Sequence, residues 1–465
     1  MGLSKVKTLA VVLTIAAAAS AQFNGATNAR MEALGGAPFS DITGIYAYPS
    51  LMTGYTNQVQ ATFGSEYAAT EPRGFIAVKS INDVLSLGLM ANHGMVAPEP
   101  VFAARDFLQD PMDPDNYFNY YYDYNYFPHL LLGLDFGGFS LGADIFFQSA
   151  SAKFKSDSTY SEPGNTFSRE DEKFGSITVF GTRISAGIDL GFVSLLAKFG
   201  IGFPSFKANH EWSQSETGQD KLSNPDDSED SFESALYMET GAEAGMSLIG
   251  LDLTLGFDYT GSKHEFEPYK LRTPQTGTPA QNTLRETDHW YSLLDIYLGC
   301  EFNVLETMAA AAGYKFTRNA YTRTVKTTIS IEDPDGIFIP STNPASSTET
   351  KATEGSHQHT LNAGLENTWD DAWIFDAFSV RAGARYSIYY DFTKGSYEYE
   401  RPSMNIKRES NYNSTSIWSH SPVTPTFGVG LSKSVFSLDL AFDMGEWQGF
   451  TMGPPVAMVT GTLKF

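Results

Sequence analysis

Cysteine is almost absent from this chain, and Cys300 is the single thiol in 465 residues. One cysteine excludes an intramolecular disulfide. A lone thiol in an apolar segment is most simply a small hydrophobic side chain. The fold therefore does not depend on a cross-link within the chain.

Basic residues are also scarce. The sequence has 31 lysines and arginines against 54 aspartates and glutamates, a net charge of −23. Such a surplus of acid argues against nucleic acid as a partner and against a polybasic lipid-binding surface. Aromatic residues, by contrast, are abundant: 24 tyrosines and 34 phenylalanines accompany a hydrophobic fraction of only 42%. This combination indicates that aromatic rings are used at an interface.

Long apolar runs are missing after the first 21 residues, so no segment is a candidate transmembrane helix. The first 21 residues have the pattern of a secretory signal peptide, with Lys5 and Lys7 before an apolar core and Ala19-Ser20-Ala21 at the cleavage site. An uncleaved membrane anchor is the alternative. The apolar core is short for a span, which favours export and cleavage before Gln22.

Catalytic and metal-binding motifs are sparse. No Gly-x-Ser-x-Gly sequence occurs, and we expect the chain not to be an enzyme, with a membrane hydrolase as the alternative. His357 and His359 share one face of a predicted strand, but a metal site needs a third ligand. The acidic stretches at 110–115 and 226–230 are interpreted as solvated loop, with a Ca²⁺ or Mg²⁺ site as the alternative. The tyrosine-rich stretch 113–127 is interpreted as interfacial aromatics, with a surface platform for a sugar or an apolar solute as the alternative. We therefore predict no metal and no cofactor.

Strict alternation of apolar and polar residues is the main structural signal. Residues 251–259, "LDLTLGFDY", place Leu and aromatic side chains on one parity and Asp, Thr and Gly on the other. The stretches 139–147 and 436–444 show the same alternation. Period two puts the two sets on opposite faces of a strand.

The alternation predicts about sixteen strands. They lie near 57–66, 73–81, 84–93, 127–136, 138–149, 174–190, 192–204, 233–247, 249–261, 289–303, 306–317, 357–368, 373–390, 424–433, 435–446 and 456–465. Short turns alternate with long polar connections, which are expected at 95–126, 150–173, 205–232, 262–288, 318–356 and 391–423. Short turns at one end and long loops at the other are typical of outer-membrane β-barrels.

The predicted fold class is thus all-β, a transmembrane antiparallel β-barrel of about 14–16 strands. A secreted β-sandwich or propeller is the soluble alternative, but several strands approach the roughly 9–11 residues that a tilted membrane strand needs. The chain ends on the alternating stretch "VAMVTGTLKF". Because lipid tolerates no open sheet edge, the last strand must pair with the first. A terminal Phe465 resembles the signal that barrel-assembly machinery reads.

The segment before the first strand carries a family resemblance. Ala29, Arg30, Gly35, Gly36, Ala37, Asp41, Tyr46, Pro49 and Leu51 match a pattern of Ala-Arg, Gly-Gly-Ala, Asp and an aromatic before Asn-Pro-Ala-x-Leu. This resembles the FadL-type outer-membrane family, which includes long-chain fatty-acid and aromatic-hydrocarbon transporters, and in particular its PorV-like branch. The family's Asn is Tyr48 here and its second Ala is Ser50.

The resemblance implies that this segment folds inside the barrel as a plug or hatch. The domain prediction is a signal peptide at 1–21, a plug at 22–56 and a barrel at 57–465. The predicted plug residues are Arg30, Gly35, Gly36, Ala37, Asp41 and Pro49. The family usually has fourteen strands, so the count of sixteen predicts either two loop hairpins or an enlarged barrel.

Parity also places charged residues inward, because a lone charge facing lipid near the midplane would cost roughly 2–4 kcal/mol. The main candidates for lumen residues are Arg183, Lys198, Glu239, Asp252, Arg381 and Arg385. The same parity adds Asp135, Asp144, Asp189, Glu243, Asp258, Asp295, Glu301, Lys315, Glu366, Asp439 and Asp443. Such charges either line a water channel or pair with one another and hold a plug.

The resemblance implies passive uptake of hydrophobic or small solutes across the outer membrane of a Gram-negative-type bacterium. The alternative is a non-transporting, PorV-like barrel that anchors or shuttles secreted proteins. The expected partners are outer-membrane lipid and lipopolysaccharide, the barrel-assembly machinery, and either a hydrophobic solute or a secreted protein.

Overall fold

The fold is seen in a computed structural model of the chain. The residues that it describes are 29–34, 36–37, 41–66, 69–92, 121–126, 129–162, 165–216, 222–223, 228–248, 250–266, 269–273, 281–331, 346–401, 405–418, 423–443, 447–448, 451–452 and 456–465. The predicted signal peptide, Gly35 and most of the tyrosine-rich stretch lie outside these residues. Among the described residues, no helix combines the length and apolar character needed to cross a membrane.

Sixteen strands of the described chain pair in one closed antiparallel ring. With strands numbered in chain order, the ring contains β1 (Gln58–Glu66), β2 (Ala69–Ser80), β3 (Leu85–Asn92), β5 (His129–Asp135), β6 (Phe139–Glu162), β7 (Asn165–Asp189), β8 (Val193–Glu216), β10 (Ser228–Leu248), β11 (Leu251–Phe266), β13 (Gln281–Leu305), β14 (Met308–Ile331), β15 (Ser346–Asp370), β16 (Ala377–Arg401), β18 (Thr424–Lys433), β19 (Phe436–Asp443) and β22 (Val456–Lys464).

Shorter strands extend this ring on one side. They are β4 (Tyr121–Tyr126), β9 (Leu222–Ser223), β12 (Tyr269–Thr273) and β17 (Ile406–Trp418), while β20 (Trp447–Gln448) and β21 (Thr451–Met452) form a small separate hairpin. The ring closes where β1 pairs with β22, with Gln58 opposite Lys464 and Thr62 opposite Thr460. Closure leaves no open sheet edge, as lipid requires. The predicted fold class is confirmed, and the strand number is sixteen.

The short turns were predicted correctly, whereas most of the predicted long loops were wrong. Much of 150–173, 205–232, 262–288, 318–356 and 391–423 is strand, so that seven of the described strands are 24 or 25 residues long. These extensions, such as "SSTETKATEGSHQHT" at the start of β15, are polar on both faces. Alternation cannot reveal a strand that has water on both sides, although its backbone pairs along the whole ladder.

The two faces of the barrel differ as the parity predicts. Large apolar side chains such as Phe180, Phe199 and Leu255 are about half exposed on the outer face, at 57%, 48% and 57%. The inner face of the same strands carries buried polar groups, including Arg183 and Ser185. An outer face rich in exposed apolar side chains is the surface that a barrel presents to lipid.

The N-terminal segment packs against the inner face. It consists of helix α1 (Ala29–Ala33), helix α2 (Gly44–Ala47) and a 3₁₀ helix (Pro49–Tyr55) that leads into β1. Pro49 opens the 3₁₀ helix, where its missing N–H costs nothing. The segment's apolar residues Ile42, Ile45 and Met52 are buried against Ile76, Met90 and Leu131 of the wall.

Candidate functional site

The candidate site is the inner wall of the barrel together with residues 29–55, which we call the N-terminal segment. Two groups of buried charges on this wall are placed by the alternation of strands β5 to β11 and β15 to β19. Each group contacts the N-terminal segment at a different part of the ring. Both contain residues that the sequence parity directed inward.

The first group, the Arg183 network, comprises His129, Asp144, Arg183, Lys198, Glu239 and Asp258. Glu239 is its centre: one carboxylate oxygen lies 3.1 Å from Nε of Arg183 and the other 2.7 Å from Nζ of Lys198. Lys198 also lies 2.9 Å from Oδ1 of Asp258. Arg183 is fully buried and Glu239 is 4% exposed, so these charges are stabilised by one another rather than by water.

The edge of the Arg183 network was missed by sequence reasoning. His129 is 2% exposed, and its Nδ1 lies 3.0 Å from the carboxylate of Asp144. A strand was predicted at 127–136, but His129 was not among the predicted inward residues. His129 shares one face of β5 with Leu131 and with Asp135, which was predicted to point inward. This shared parity could have placed His129 on the inner face.

The N-terminal segment closes over the Arg183 network. Nη1 of Arg183 donates to the backbone carbonyl of Tyr46, and the Tyr48 ring lies 5.3 Å from Nζ of Lys198. Burial raises the pKa of the Tyr48 phenol, and the nearby Asp258 carboxylate raises it further. The phenol is therefore neutral at physiological pH and stands beside Tyr297, whose hydroxyl donates to Glu243 at 2.9 Å.

The second group, the Arg30 network, comprises Arg30, Glu366, Arg381 and Asp439. Arg30 reaches Glu366 through two contacts, Nη2–Oε2 at 2.6 Å and Nε–Oε1 at 3.2 Å. Arg381 bridges the same carboxylate and Asp439, each at 2.6 Å. A charge of the N-terminal segment is thus built into a chain of charges on β15, β16 and β19.

Backbone contacts hold the segment at further points on the wall. The amide of Ala29 donates to Thr460 at 2.8 Å, and the carbonyl of Ala33 accepts from Thr426 at 3.0 Å. The carbonyl of Gly36, which has a φ of +70°, accepts from Asn362 at 2.9 Å. On the opposite part of the ring, the Ser50 amide donates to Ser185 at 2.7 Å. These bonds satisfy backbone groups that would otherwise be unpaired inside the barrel.

Glycines on the wall make room for this packing, and none of them was predicted. A Cβ at Gly142 would lie 2.1 Å from the Ser50 nitrogen and 2.3 Å from the Pro49 carbonyl carbon. A Cβ at Gly428 would lie 2.6 Å from the Ala33 Cβ. A glycine in a strand often marks the close approach of another backbone. No local signal identified which of the many strand glycines does so.

The remaining predicted residues have varied positions. Ala37 is buried, the Asp41 carboxylate accepts from the Thr43 amide at 2.8 Å, and Gly35 lies outside the described residues. Arg385 pairs with Asp443 at 3.2 Å, apart from Arg381. Asp252 is exposed near the β10–β11 turn and joins neither network within the described chain. The Phe465 amide donates to the Asn57 carbonyl at 2.8 Å, and the ring is 45% exposed beside Lys79.

An apolar hollow of about 510 Å³ lies on the wall formed by β5 to β8. Its side-chain lining is mostly aliphatic and comes from Leu132, Leu134, Leu141, Ala143, Ile184, Ala186, Ala197 and Phe199. Leu132, Ile184 and Phe199 are 41%, 55% and 48% exposed on the outer face, so the hollow opens outward and not into the lumen. It belongs to the apolar surface that the barrel presents to lipid.

Groups with catalytic or metal-binding potential are few on this wall. The Ser262 hydroxyl and His264 Nε2 are 2.7 Å apart, but both side chains lie buried on one strand at 1% and 2% exposure. Among the described residues, no group of three or more His, Cys, Asp or Glu side chains could hold a metal. The expectation that the chain is not an enzyme stays a prediction.

Comparisons with known proteins give similarity in fold. No protein-family model matches the chain. No curated protein matches it. Solved structures with a similar architecture include the toluene transporter TodX of Pseudomonas putida, at 9% identity and a TM-score of 0.37, covering 95% of this chain and 98% of that one. The toluene transporter TbuX of Ralstonia pickettii has 9% identity and a TM-score of 0.35, covering 94% and 98%. OmpT, an outer-membrane protein of Vibrio cholerae, has 8% identity and a TM-score of 0.28, covering 88% and 97%.

Proposed function

We propose that this chain is a FadL-type outer-membrane channel for the passive uptake of hydrophobic or small solutes, with residues 22–56 as its plug. The observation that carries the proposal is the seating of the N-terminal segment against the inner wall through two separate charge networks. The N-terminal resemblance to the FadL-type family supports the same role. The apolar outer face supports placement in the outer membrane.

The plug role follows from how the segment is held. Arg30 contributes its charge to Glu366, and the Tyr46 carbonyl accepts a bond from the buried Arg183. These contacts are polar and specific, whereas a segment that merely trailed into water would not be ordered by them. Contacts on β7, β15, β18 and β22 anchor the segment on widely separated parts of the ring.

The class of solute is taken from the resemblance of the N-terminal segment to the FadL-type family, which includes long-chain fatty-acid and aromatic-hydrocarbon transporters. The apolar hollow of β5 to β8 opens on the outer face of the barrel and is no part of the solute path.

A second candidate is a barrel that anchors or shuttles a secreted protein. The observation that favours it is the height of the wall, because strands such as β15 and β16 have 25 residues each. About 9–11 residues cross the membrane, so the remainder forms a polar rim on which a protein could dock. In this role the plug would stay in place permanently.

Deletion of residues 24–47 tests the channel. We expect the refolded variant to show higher single-channel conductance and faster liposome swelling than the full chain, because α1, α2 and Arg30 leave the lumen. The matched control is Lys433→Met, which breaks an exposed ion pair with Asp376 in a turn and should leave conductance unchanged.

Heat-modifiable migration on a denaturing gel reports whether each variant forms the barrel. A deletion variant that folds but conducts no better than the full chain would contradict the plug and remove the main support for transport. A silent barrel that co-purifies with a secreted protein would favour the second candidate.

A further inference from the structure

A basic and aromatic patch lies on the outer face of β14, β15 and β16. Its charged members are Arg318, Lys351 and Lys394, and its rings are Phe316, His357, His359, Tyr390 and Phe392; we call it the outer patch. Arg318 lies directly opposite His357, which lies opposite Tyr390 on the next strand. Lys394 lies opposite Thr353 and Lys351 opposite Thr324, so the three cations spread over six residues of the β15 ladder, from His357 to Lys351.

Strand parity fixes the direction of these side chains. On β15, Leu361 and Leu365 share the parity of His357 and are 54% and 48% exposed on the lipid-facing side. Thr360 and Glu366 have the opposite parity and face the lumen, where Glu366 meets Arg30. The outer patch therefore belongs to the outside of the barrel and takes no part in the charge networks of the lumen.

The height of the outer patch matches the boundary of the membrane. The outward residues of β14 from the short-turn end are Met308, Ala310, Ala312, Tyr314 and Phe316, and Arg318 is the first charge. Ten residues of strand span about 34 Å. At the usual tilt this is a height of about 26 Å, close to the roughly 25 Å of a barrel's apolar band. On β16 the outward series is uncharged from Phe378 to Phe392, and Lys394 lies beyond the apolar band, further from the membrane centre than Arg318.

The cations of the outer patch have no acidic partners in the part of the chain that the structure describes. Arg318, Lys351 and Lys394 are exposed and form no ion pair there. Their neighbours on the same outer surface do: Lys326 pairs with Glu286, and Lys407 pairs with Glu398. Glu349 and Glu398 share this outer face one row beyond Lys351. Closer to the apolar band, the outward residues of β14, β15 and β16 include the three cations and no carboxylate, which makes this part of the surface locally positive. The negative net charge led us to expect no polybasic lipid-binding surface. A total charge, however, does not show how the charges are distributed over the surface.

Aromatic rings hold the cations in place. Phe392 is 7% exposed, with the Arg318 guanidinium 5.9 Å and Lys394 Nζ 5.8 Å from its ring centre. The His357 ring lies 5.0 Å from the same ring, and Tyr314 donates to or accepts from His359 at 2.8 Å. Cation–π contacts of this kind restrict long side chains, which lowers the entropy that a ligand must remove.

We propose that the outer patch binds the phosphate groups of an outer-leaflet lipid, lipopolysaccharide in a Gram-negative-type membrane. Arginine and lysine donate charge-assisted bonds to phosphate oxygens. The apolar band directly below, with Leu361, Leu365 and Tyr386 exposed, receives the acyl chains of the same lipid. The inference rests on the outer-membrane placement in the proposed function and is independent of what passes through the lumen.

The test measures binding of fluorescent, bisphosphorylated lipid A to the full chain refolded in neutral mixed micelles. We expect Arg318→Gln/Lys394→Gln to weaken binding by about tenfold or more, since two charge-assisted contacts are lost. The matched control is Lys326→Gln/Lys407→Gln, which removes two cations of the same outer surface that already have acidic partners. It should retain the affinity of the unaltered chain.

Three results would overturn the assignment: equal loss in both double variants, equal binding of dephosphorylated lipid A, or displacement of the lipid by the same concentration of inorganic phosphate. The last would indicate a site for a free anion.

If the Arg318/Lys394 variant does not show heat-modifiable migration, salt titration of the unaltered chain replaces it. Binding through exposed cations must then weaken steeply with salt, and salt-independent binding refutes the proposal. Single-channel conductance is recorded separately, so that a failed channel and a failed lipid site remain distinguishable.

Discussion

Removal of the Arg30 side chain should loosen the N-terminal segment by an amount that the structure allows to be worked out. The guanidinium makes two contacts with Glu366, at 2.6 and 3.2 Å, and the two side chains are 26% and 11% exposed. A bidentate, partly buried pair of this kind is worth about 2 kcal/mol. Arg30→Met should therefore raise the fraction of opened segment by about 30-fold.

The opened fraction can be followed by thiol labelling. Leu34 is fully buried, and Leu34→Cys in a Cys300→Ala background would be labelled only when the segment leaves the wall. When opening and closing are faster than labelling, the rate reports the opened population. Arg30→Met, Glu366→Gln and the combination of both form a double-mutant cycle on this background.

The cycle separates a direct pair from a general weakening. Arg381 keeps its contact with Asp439 when Glu366 is replaced, so the wall retains a partner for that charge. We expect the double variant to be labelled little faster than Arg30→Met alone. A change of less than about twofold in Arg30→Met, or fully independent effects of the two substitutions, would refute the reasoning.

Three further predictions concern other contacts. Phe465→Asp should lower membrane yield more than synthesis, measured by fractionation and immunoblot, because the exposed ring ends the closing strand; normal yield would remove the assembly role. Gly142→Ala should speed hydrogen exchange at the Ser50 amide by about tenfold or more, since its Cβ would strike the 3₁₀ helix, while Gly54→Ala, with open space around it, should not. The Ser434 amide and then Lys433 lower the pKa of Asp376 below its ordinary value, so the contribution of this turn to stability is present above the ordinary pKa and is lost as pH falls through the lowered one. A carboxyl titration should show this pKa rising in Lys433→Met, and an ordinary value in the unaltered chain would contradict it.

The barrel could be predicted from sequence because lipid imposes period two on the crossing part of every strand. Residues 251–259 and 436–443 show the alternation plainly, and both are strands with the predicted faces. Parity likewise directed Arg183, Lys198, Glu239 and Arg381 inward. Above the membrane the constraint disappears, and residues such as Ser346 to Ser356 gave no signal although they pair fully.

The partners within the lumen could not be predicted. Arg183 and Glu239 are 56 residues apart, and Arg30 and Glu366 are 336 residues apart. Their pairing depends on the stagger of the ring and on the position of the N-terminal segment, neither of which is written in a local pattern. The role of Gly142 depends on the same two quantities.

The contact between Ala29 and Thr460 joins residues that are 431 positions apart in the chain. The seat of α1 is made by β15, β18, β19 and β22, so it does not exist until the last strands of the barrel have paired. The residues of α1 are thus made before the strands that they contact and are among the last to find their native neighbours. Contacts of such high sequence separation are slow to form, because the entropy of closing the long loop is lost before the contacts stabilise the fold. Until closure, the segment must be kept from other surfaces, so a slow final phase of folding should coincide with the pairing of β1 and β22.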